Sequence, residues 1–203
     1  MIKAIVFDMG GVLIDLDPAA CVKAFQEIMG FERIKEIIDP YHQKGIYGDL
    51  EGGRLSTDEF RSAVLAESRP GCVPEDVDRC MDAMLAGMPP YKADLLRELS
   101  GKYPLYLLSN NNEISSGAFH EILTGYGLDW KSLFREEFYS FKMKMLKPGL
   151  DIYREAVRRI GLPPEEIFFV DDSQTNVDAA RAVGINAVLY RQGDDLRQVF
   201  EGF

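Results

Sequence analysis

Four short apolar runs limit the fold of this chain more than any other feature of its sequence. The runs are residues 4–7, 105–108, 167–170 and 187–190. None of them alternates apolar with polar residues as a half-exposed strand does, so we predict strands that are buried on both faces. Helical patterns lie near residues 92–99, 115–123, 150–160 and 177–183. Buried strands that alternate with helices predict an α/β fold with a parallel sheet.

The alternation is interrupted between residues 18 and 89, where apolar residues recur at helical spacing and no strand is predicted. Three stretches there have the pattern of amphipathic helices: CVKAFQEIMGF, TDEFRSAVLAES and EDVDRCMDAMLAGM. Ser56 or Thr57, with Glu59 close behind, is predicted to cap the second of them. The two prolines of MPPY then mark a return to the main fold. The sequence therefore predicts a helical insert after the first strand.

Charge and hydropathy exclude two classes of partner. The 203 residues include 23 Lys and Arg against 33 Asp and Glu, which gives a net charge of −10 without a basic cluster for nucleic acid or anionic membranes. No apolar run approaches the length of about 20 residues that spans a bilayer, and the first residues do not resemble a signal peptide. Cys21, Cys72 and Cys80 lack a CxxC pair and are predicted to be reduced packing residues. We therefore expect a cytoplasmic protein that binds neither nucleic acid nor membranes.

Polar side chains stand directly after three of the four predicted strands. Asp8 follows the first strand, Ser109 and Asn110 follow the second, and Asp171 and Asp172 follow the third. In an open parallel sheet, ligands bind outside the carboxyl ends of the strands. We therefore predict that these side chains converge in one site, although they are far apart in the sequence.

The residue types in this predicted site suit phosphoryl transfer. Asp8 and Asp172 offer the hard oxygen ligands that hold Mg²⁺ in proteins. A carboxylate can also attack phosphorus and form an aspartyl-phosphate, which divides one difficult displacement into two easier ones. Ser109 can donate a hydrogen bond to a phosphoryl oxygen, and Asn110 can orient the substrate.

Lys147, in the stretch MLKPGLDIY, is the candidate cation for this site. It is predicted to lie just before a helix that Pro148 opens in its first turn. The same residues allow a purely structural interpretation, in which Asp8 is a turn residue and Lys147 is solvated. Asp171 and Asp172 would then cap the helix that follows them. The order of the four stretches along the chain favours the functional interpretation.

Together, the stretches VFDMGGVLID, LLSNNN, LKP and FFVDDSQTNVDAARAVGI resemble the motifs of the haloacid dehalogenase-like (HAD) hydrolase superfamily. They are similar to subfamily I, in which a helical cap is inserted after the first motif. The resemblance implies a Rossmann-like core of residues 1–15 and 89–203 and a cap of residues 16–88. It implies that Asp8 is the nucleophile and that Ser109 and Lys147 are catalytic and substrate-binding residues, with Asn110 as a further substrate contact. It also implies that Asp8, the Gly10 carbonyl and Asp172 are the Mg²⁺ ligands. Asp171 is then the neighbour that tunes the metal site.

Gly10 departs from the commonest pattern of the family. Phosphatases of the family usually carry a second Asp two residues after the nucleophile, where it protonates the leaving oxygen and later activates water. General acid–base catalysis of this kind contributes about 10²–10⁴-fold to the rate. The absence of that carboxyl group predicts a preference for aryl phosphates, acyl phosphates or sugar 1-phosphates, whose leaving oxygen carries negative charge easily.

The resemblance and the residues together predict a Mg²⁺-dependent phosphatase of a small phosphorylated metabolite, such as a sugar phosphate, that forms an aspartyl-phosphate. One alternative is a 2-haloacid dehalogenase, which attacks carbon and needs no metal, although the pair of Asp171 and Asp172 has no evident use without a cation. Another is a catalytically weakened phosphate-binding protein, which Gly10 permits. Specificity is expected to come from the stretch YHQKGIYGDLEGGR, with His42, Lys44 and Arg54 as candidate contacts.

Overall fold

The computed structural model describes residues 1–36 and 45–203, and within these ranges a five-stranded parallel sheet forms the centre of the fold. The strands are β1 Ala4–Phe7, β2 Asp15–Leu16, β3 Leu85–Gly87, β4 Leu105–Ser109, β5 Phe134–Tyr139, β6 Ile167–Asp171 and β7 Asn186–Leu189. The order in the five-stranded sheet is β5-β4-β1-β6-β7, and a separate two-stranded sheet pairs β2 with β3. The predicted α/β fold with a parallel sheet is confirmed.

The helices of the described residues cover both faces of the sheet and fill the region after β2. They are α1 Pro18–Met29, α2 Gly45–Glu51, α3 Thr57–Ala66, α4 Pro74–Asp82, α5 Pro90–Ser100, α6 Glu113–Gly125, α7 Trp130–Leu133, α8 Ser140–Met143, α9 Leu150–Ile160 and α10 Gln174–Ala182. Short 3₁₀ segments lie at Glu32–Glu36, Pro164–Glu166 and Leu196–Phe200. Among the residues described, none of these helices has the length and hydropathy needed to cross a bilayer.

All four predicted strands are present. Most residues of β1, β4 and β6 are buried as predicted, but burial on both faces is wrong for β7, which is a partly exposed edge strand. Every residue of β1 is buried between β4 and β6, with Val6 opposite both Tyr106 and Phe169. The prediction that residues 18–89 contain no strand is wrong, because β3 lies at Leu85–Gly87. The edge strand β5 also had no prediction, since its sequence FREEFY places two glutamates in the middle of the strand.

A local signal correctly predicted the start of α3. Ser56 caps α3 in a capping box, in which its side chain accepts from the Glu59 amide and the Glu59 carboxylate accepts from the Ser56 amide. The placement of Pro148 in the first turn of a helix is wrong, because α9 begins at Leu150 with Gly149 as its N-cap. Pro148 therefore lies in the connection before α9.

The residues between β2 and β3, which we call the insert, supply every buried member of a separate apolar cluster except Ile114 of α6. Cys21 and Phe25 of α1 pack there with Phe60 of α3 and Cys80 of α4, and all four are fully buried. All three cysteines of the chain are free, as predicted. Burial of these side chains supplies the main stabilisation of the insert, at about 1.5–3 kcal/mol for each large side chain.

Two chain crossings connect the insert to the rest of the molecule, and they lie side by side. Asp15 pairs with Gly87 and Leu16 with Leu85 in the antiparallel sheet of β2 and β3. The main chain of Leu16 is also held from the far end of the sequence, because Gln192 Oε1 accepts from its amide at 2.7 Å and Gln192 Nε2 donates to its carbonyl at 3.0 Å. The position of Leu16 beside the carboxyl end of β1 is therefore fixed from two directions.

Candidate active site

Three carboxyl groups meet where β1 and β6 end. Asp8 follows β1, Asp171 is the last residue of β6, and Asp172 comes next. One carboxylate oxygen of each lies within 4.8 Å of the others. The Asp8 amide donates to the Val170 carbonyl at 2.8 Å, which continues the parallel pairing of β1 with β6 and brings the acids together. The predicted convergence of these residues is confirmed.

The Lys147 ammonium group lies against two of these carboxylates. Its Nζ is 2.9 Å from Asp8 Oδ2 and 2.6 Å from Asp171 Oδ2, and the residue is only 2% exposed. The interpretation of Lys147 as a solvated side chain is therefore wrong. Burial alone lowers the pKa of Lys147, but the charges of Asp171 and Asp8 outweigh burial and raise that pKa above its usual range.

Asp171 is fully buried and saturated with hydrogen bonds. Its Oδ1 accepts from the Ser173 amide at 2.8 Å and from Asn176 Nδ2 at 2.9 Å, while Oδ2 takes the Lys147 ammonium. This arrangement leaves Asp172, which faces the adjacent cavity, better placed to bind a ligand. Asn176 had no prediction, and its only sequence signal was its place in the stretch DDSQTN.

The glycines after Asp8 are explained by close approaches. Gly11 has a φ of +72°, and a Cβ on it would lie 2.1 Å from Asp172 Oδ2. Only glycine therefore permits Asp172 to lean over this turn. A Cβ on Gly10 would instead lie 3.0 Å from Leu16 Cδ1, so the Leu16 side chain occupies the space next to residue 10.

The two residues at the end of β4 have different environments. Ser109 is 2% exposed and lines the cavity beside Asp8. The Asn110 amide is engaged with the main chain of Lys147, because its Oδ1 accepts from the Lys147 amide at 2.8 Å and its Nδ2 donates to the Lys147 carbonyl at 2.9 Å. Asn110 therefore positions Lys147. Because both ends of its amide are hydrogen-bonded to the main chain of Lys147, the amide is not available for the substrate contact that the resemblance implies.

The site opens into a cavity that the core and the insert line together. The core contributes Asp8, Met9, Gly10, Ser109, Asn110, Asn111, Ser115, Lys147, Pro148, Asp172, Ser173, Thr175 and Asn176, whereas the insert and its two crossings contribute Leu16, Tyr47, Glu51, Met84 and Leu85. Arg54 is absent from this lining, because its guanidinium pairs with Asp49 at 2.7 Å. His42 and Lys44 lie outside the described residues.

Burial and mutual repulsion disfavour the ionised form of the carboxyl groups in this cluster. The pKa of Asp8 is raised from 3.8 to about 8, first by burial and then by Asp171 and Asp172, against the opposing charge of Lys147. Burial, followed by Asp171, raises the pKa of Asp172 to about 6. Three carboxyl groups beside one ammonium group therefore suit a divalent cation, and their hard oxygen donors fit Mg²⁺.

We expect the metal-free protein to lose stability as the pH rises from about 4 to about 8. The folded protein holds its Asp8 proton to a higher pH than the unfolded chain does, so unfolding releases a proton in this window and is favoured by higher pH. Mg²⁺ replaces these protons, so it should raise the melting temperature more at pH 8 than at pH 6. Melting curves in chelator and in Mg²⁺ measure both effects. Metal-free stability that increases across this window would contradict the prediction.

Comparison with known protein families gives one match over most of the chain. The model of the haloacid dehalogenase-like hydrolases matches residues 2–184. A D-ribitol-5-phosphate phosphatase of Bacteroides thetaiotaomicron is 31% identical, over 98% of this chain and 96% of that protein. A sesquiterpene phosphatase of Aspergillus oryzae is 32% identical, over 90% of this chain and 87% of that protein.

Solved structures include a similar molecule with ligands. The crystal structure of a HAD family enzyme of Bacteroides thetaiotaomicron, in complex with magnesium and inorganic phosphate, superposes with a TM-score of 0.91. It is 33% identical to this chain, and the alignment covers 98% of this chain and all of that one. The two chains therefore share one architecture over nearly all of this chain.

Proposed function

The chain belongs to the haloacid dehalogenase-like hydrolases, and from this membership and the site geometry we propose that it is a Mg²⁺-dependent phosphatase of a small phosphorylated metabolite. One observation carries the proposal: Asp8, Asp171 and Asp172 lie within 4.8 Å of one another, with the Lys147 ammonium against two of them. A site of this kind attracts both a divalent cation and the phosphate group that the cation neutralises.

The metal would be held by Asp8, the main-chain carbonyl of Gly10 and Asp172, as the hard oxygen donors at the end of β1 and after β6. When bound, Mg²⁺ supplies positive charge that offsets the repulsion between a carboxylate and a phosphate dianion. Asp171 is the neighbour that holds Lys147 in place and tunes the metal site by its charge. Because Gly11 has no side chain, Asp172 can reach this position without a clash.

Residues of the core carry out the chemical steps. The Asp8 carboxylate attacks phosphorus, the bond to the leaving oxygen breaks, and an aspartyl-phosphate results. Lys147 balances negative charge on Asp8 and on the phosphoryl oxygens, and the Ser109 hydroxyl donates to one of those oxygens. Asn110 holds the main chain of Lys147, so that the ammonium group stays 2.9 Å from the nucleophile. Water then hydrolyses the aspartyl-phosphate and releases inorganic phosphate.

We further propose that residues 1–15 and 89–203 act as the catalytic core and that residues 16–88 act as a cap over it. Two observations support this division. The insert has its own apolar cluster, and its residues Tyr47, Glu51 and Met84 line the cavity above the carboxylates. A cap in this position excludes water from the reacting phosphate and contacts the rest of the substrate.

The names of the relatives support a substrate with an alkyl leaving group. D-ribitol 5-phosphate, for which one relative is named, is a primary alkyl ester of phosphoric acid. The cavity of this chain offers both polar and apolar surfaces, such as Ser115 and Glu51 on one hand and Leu16 and Leu85 on the other. We therefore extend the proposal to phosphates of small sugars or polyols.

The test is a panel of phosphate esters, with and without Mg²⁺, that also includes one 2-haloacid. We expect phosphate release that requires Mg²⁺ and stops in chelator, with no halide released from the haloacid. Halide release in chelator would establish the dehalogenase alternative instead. If no ester is hydrolysed but phosphate still raises the melting temperature in Mg²⁺, the chain is a phosphate-binding protein and the proposed activity is wrong.

A further inference from the structure

We propose that Glu51, at the end of α2, is the acid–base residue at the leaving oxygen and replaces the aspartate that Gly10 lacks. This inference rests on the phosphatase function proposed above, and it assigns the residue that protonates an alkyl leaving group. It changes the expectation from the sequence, in which the loss of an acid at residue 10 restricts the enzyme to good leaving groups.

Among the described residues, the atoms nearest to a Cβ built on Gly10 all belong to the apolar side chain of Leu16. A side chain built on Gly10 would begin 3.0 Å from Leu16 Cδ1 and 3.4 Å from Leu16 Cγ. The Gln192 amide holds the main chain of Leu16 on both its donor and its acceptor side. The position from which the usual aspartate would act is therefore filled by an apolar side chain, and the proton has to come from another part of the wall.

The direction of the displacement points to the insert. The Asp8 carboxylate attacks from the end of β1, and the attacking and leaving oxygens of a phosphoryl transfer lie roughly in line. The leaving oxygen therefore lies away from Asp8, on the far side of phosphorus. The part of the lining that comes from the insert and its two crossings consists of Leu16, Tyr47, Glu51, Met84 and Leu85.

Among the described residues of that wall, Glu51 carries the group with suitable proton chemistry. Leucine and methionine have no transferable proton. Burial and the neighbouring Glu51 raise the pKa of the Tyr47 phenol far above its usual range, so it releases its proton poorly. Glu51 is only 4% exposed, which shields its carboxyl group from exchange with bulk water. The remaining carboxyl groups of the lining, Asp8 and Asp172, belong to the carboxylate cluster.

Hydrogen bonds also connect the main chain of Glu51 to the loop that follows Ser109. Its carbonyl accepts from Ser140 Oγ at 2.6 Å, and the same hydroxyl accepts from the Asn111 amide at 3.0 Å. Asn111 lies two residues after Ser109, so the end of α2 is tied to the loop that binds the phosphate. A general acid has to be preorganised in this way to act at a defined atom.

The proton balance of the reaction is complete with this residue. As the bond from Asp8 to phosphorus forms and the bond to the leaving oxygen breaks, the Glu51 carboxyl group gives its proton to that oxygen and a neutral alcohol departs. The Glu51 carboxylate then takes a proton from the water that attacks the aspartyl-phosphate. Phosphate leaves, Asp8 is again a carboxylate, and Glu51 is again protonated.

The experiment measures single-turnover rates of aspartyl-phosphate formation for esters whose leaving groups differ in pKa. We expect a shallow dependence on leaving-group pKa in the wild type. Glu51→Gln should lower the rate on alkyl esters by about 10²–10⁴-fold, should leave activated aryl esters within a few fold, and should steepen the dependence. Glu67→Gln, an exposed glutamate of the same insert, is the matched control and should change nothing.

Two further variants keep the test decisive. Gly10→Asp in the Glu51→Gln background should recover the rate on alkyl esters, because it returns a carboxyl group after a small shift of Leu16. Glu51→Asp keeps a carboxyl group and should fall between the wild type and Glu51→Gln, which serves if the glutamine variant does not fold. An equal loss on all esters, or a rise in KM alone, would overturn the inference, because Glu51 would then only bind substrate. A wild type that hydrolyses no ester would contradict the proposed function instead.

Discussion

Asp8→Asn is expected to lower phosphate release by about 10⁴-fold or more while the protein stays folded. The amide has nearly the size of the carboxylate but cannot attack phosphorus. The substitution also removes one negative charge from a buried cluster in which burial already raises the pKa of Asp8 to about 8, so the fold should tolerate it. Lys147 keeps its second partner, Asp171, at 2.6 Å.

Single-turnover hydrolysis of an activated aryl phosphate measures this effect, because that substrate depends least on leaving-group protonation. A melting curve of the same sample shows whether the variant is folded. Asp178→Asn is the matched control, since Asp178 is an exposed aspartate on α10 outside the cavity lining. A folded Asp8→Asn variant that retained a tenth of the wild-type rate would rule out Asp8 as the nucleophile.

Gly11→Ala is expected to weaken Mg²⁺ binding by at least about tenfold and to destabilise the fold, because two separate costs coincide at this residue. Its φ of +72° costs a non-glycine residue about 1–2 kcal/mol. The new Cβ would also lie 2.1 Å from Asp172 Oδ2, so the carboxylate has to leave its position beside Asp8. The loss of metal affinity comes from this displacement.

Gly127→Ala separates the two costs, because Gly127 has a similar φ of +69° and no atom within 4 Å of a Cβ. It should show the backbone cost alone, measured as a lower midpoint in urea, and unchanged Mg²⁺ binding measured by calorimetry. Equal losses of stability and of Mg²⁺ affinity in the two variants would mean that Asp172 does not depend on the thin turn at Gly11.

The sequence was most informative where one local pattern decides the structure. The runs at β1, β4 and β6 are apolar because the sheet buries most of their residues, and the edge strand β7 is apolar although it is only partly buried, so the positions of all four could be predicted from composition. The same topology predicted that Asp8 and Asp172 would meet, since parallel strands end at one edge. β5 escaped prediction because an edge strand can carry glutamates where one side faces solvent.

The parts of the site that could not be predicted depend on contacts between distant segments. Asn110 was expected to contact substrate, but its amide matches the donor and acceptor of a main-chain segment 37 residues away. Glu51 and Tyr47 lie in the stretch from which specificity was expected, but neither was singled out, because nothing local in α2 indicates which of its side chains faces the core. Leu16 became meaningful only when the structure placed its side chain against Gly10.

The paired crossings at Asp15 and Gly87 have an evolutionary consequence. Because the chain leaves the core and returns to it through neighbours in one small antiparallel sheet, the distance between the two crossings does not depend on what lies between them. Closing a longer or shorter segment at this point costs little, since loop-closure entropy changes only slowly with length. Descendants of this chain can therefore lengthen, shorten or exchange the whole stretch, and so acquire new substrates, while Asp8, the proposed nucleophile seven residues before the first crossing, keeps its place.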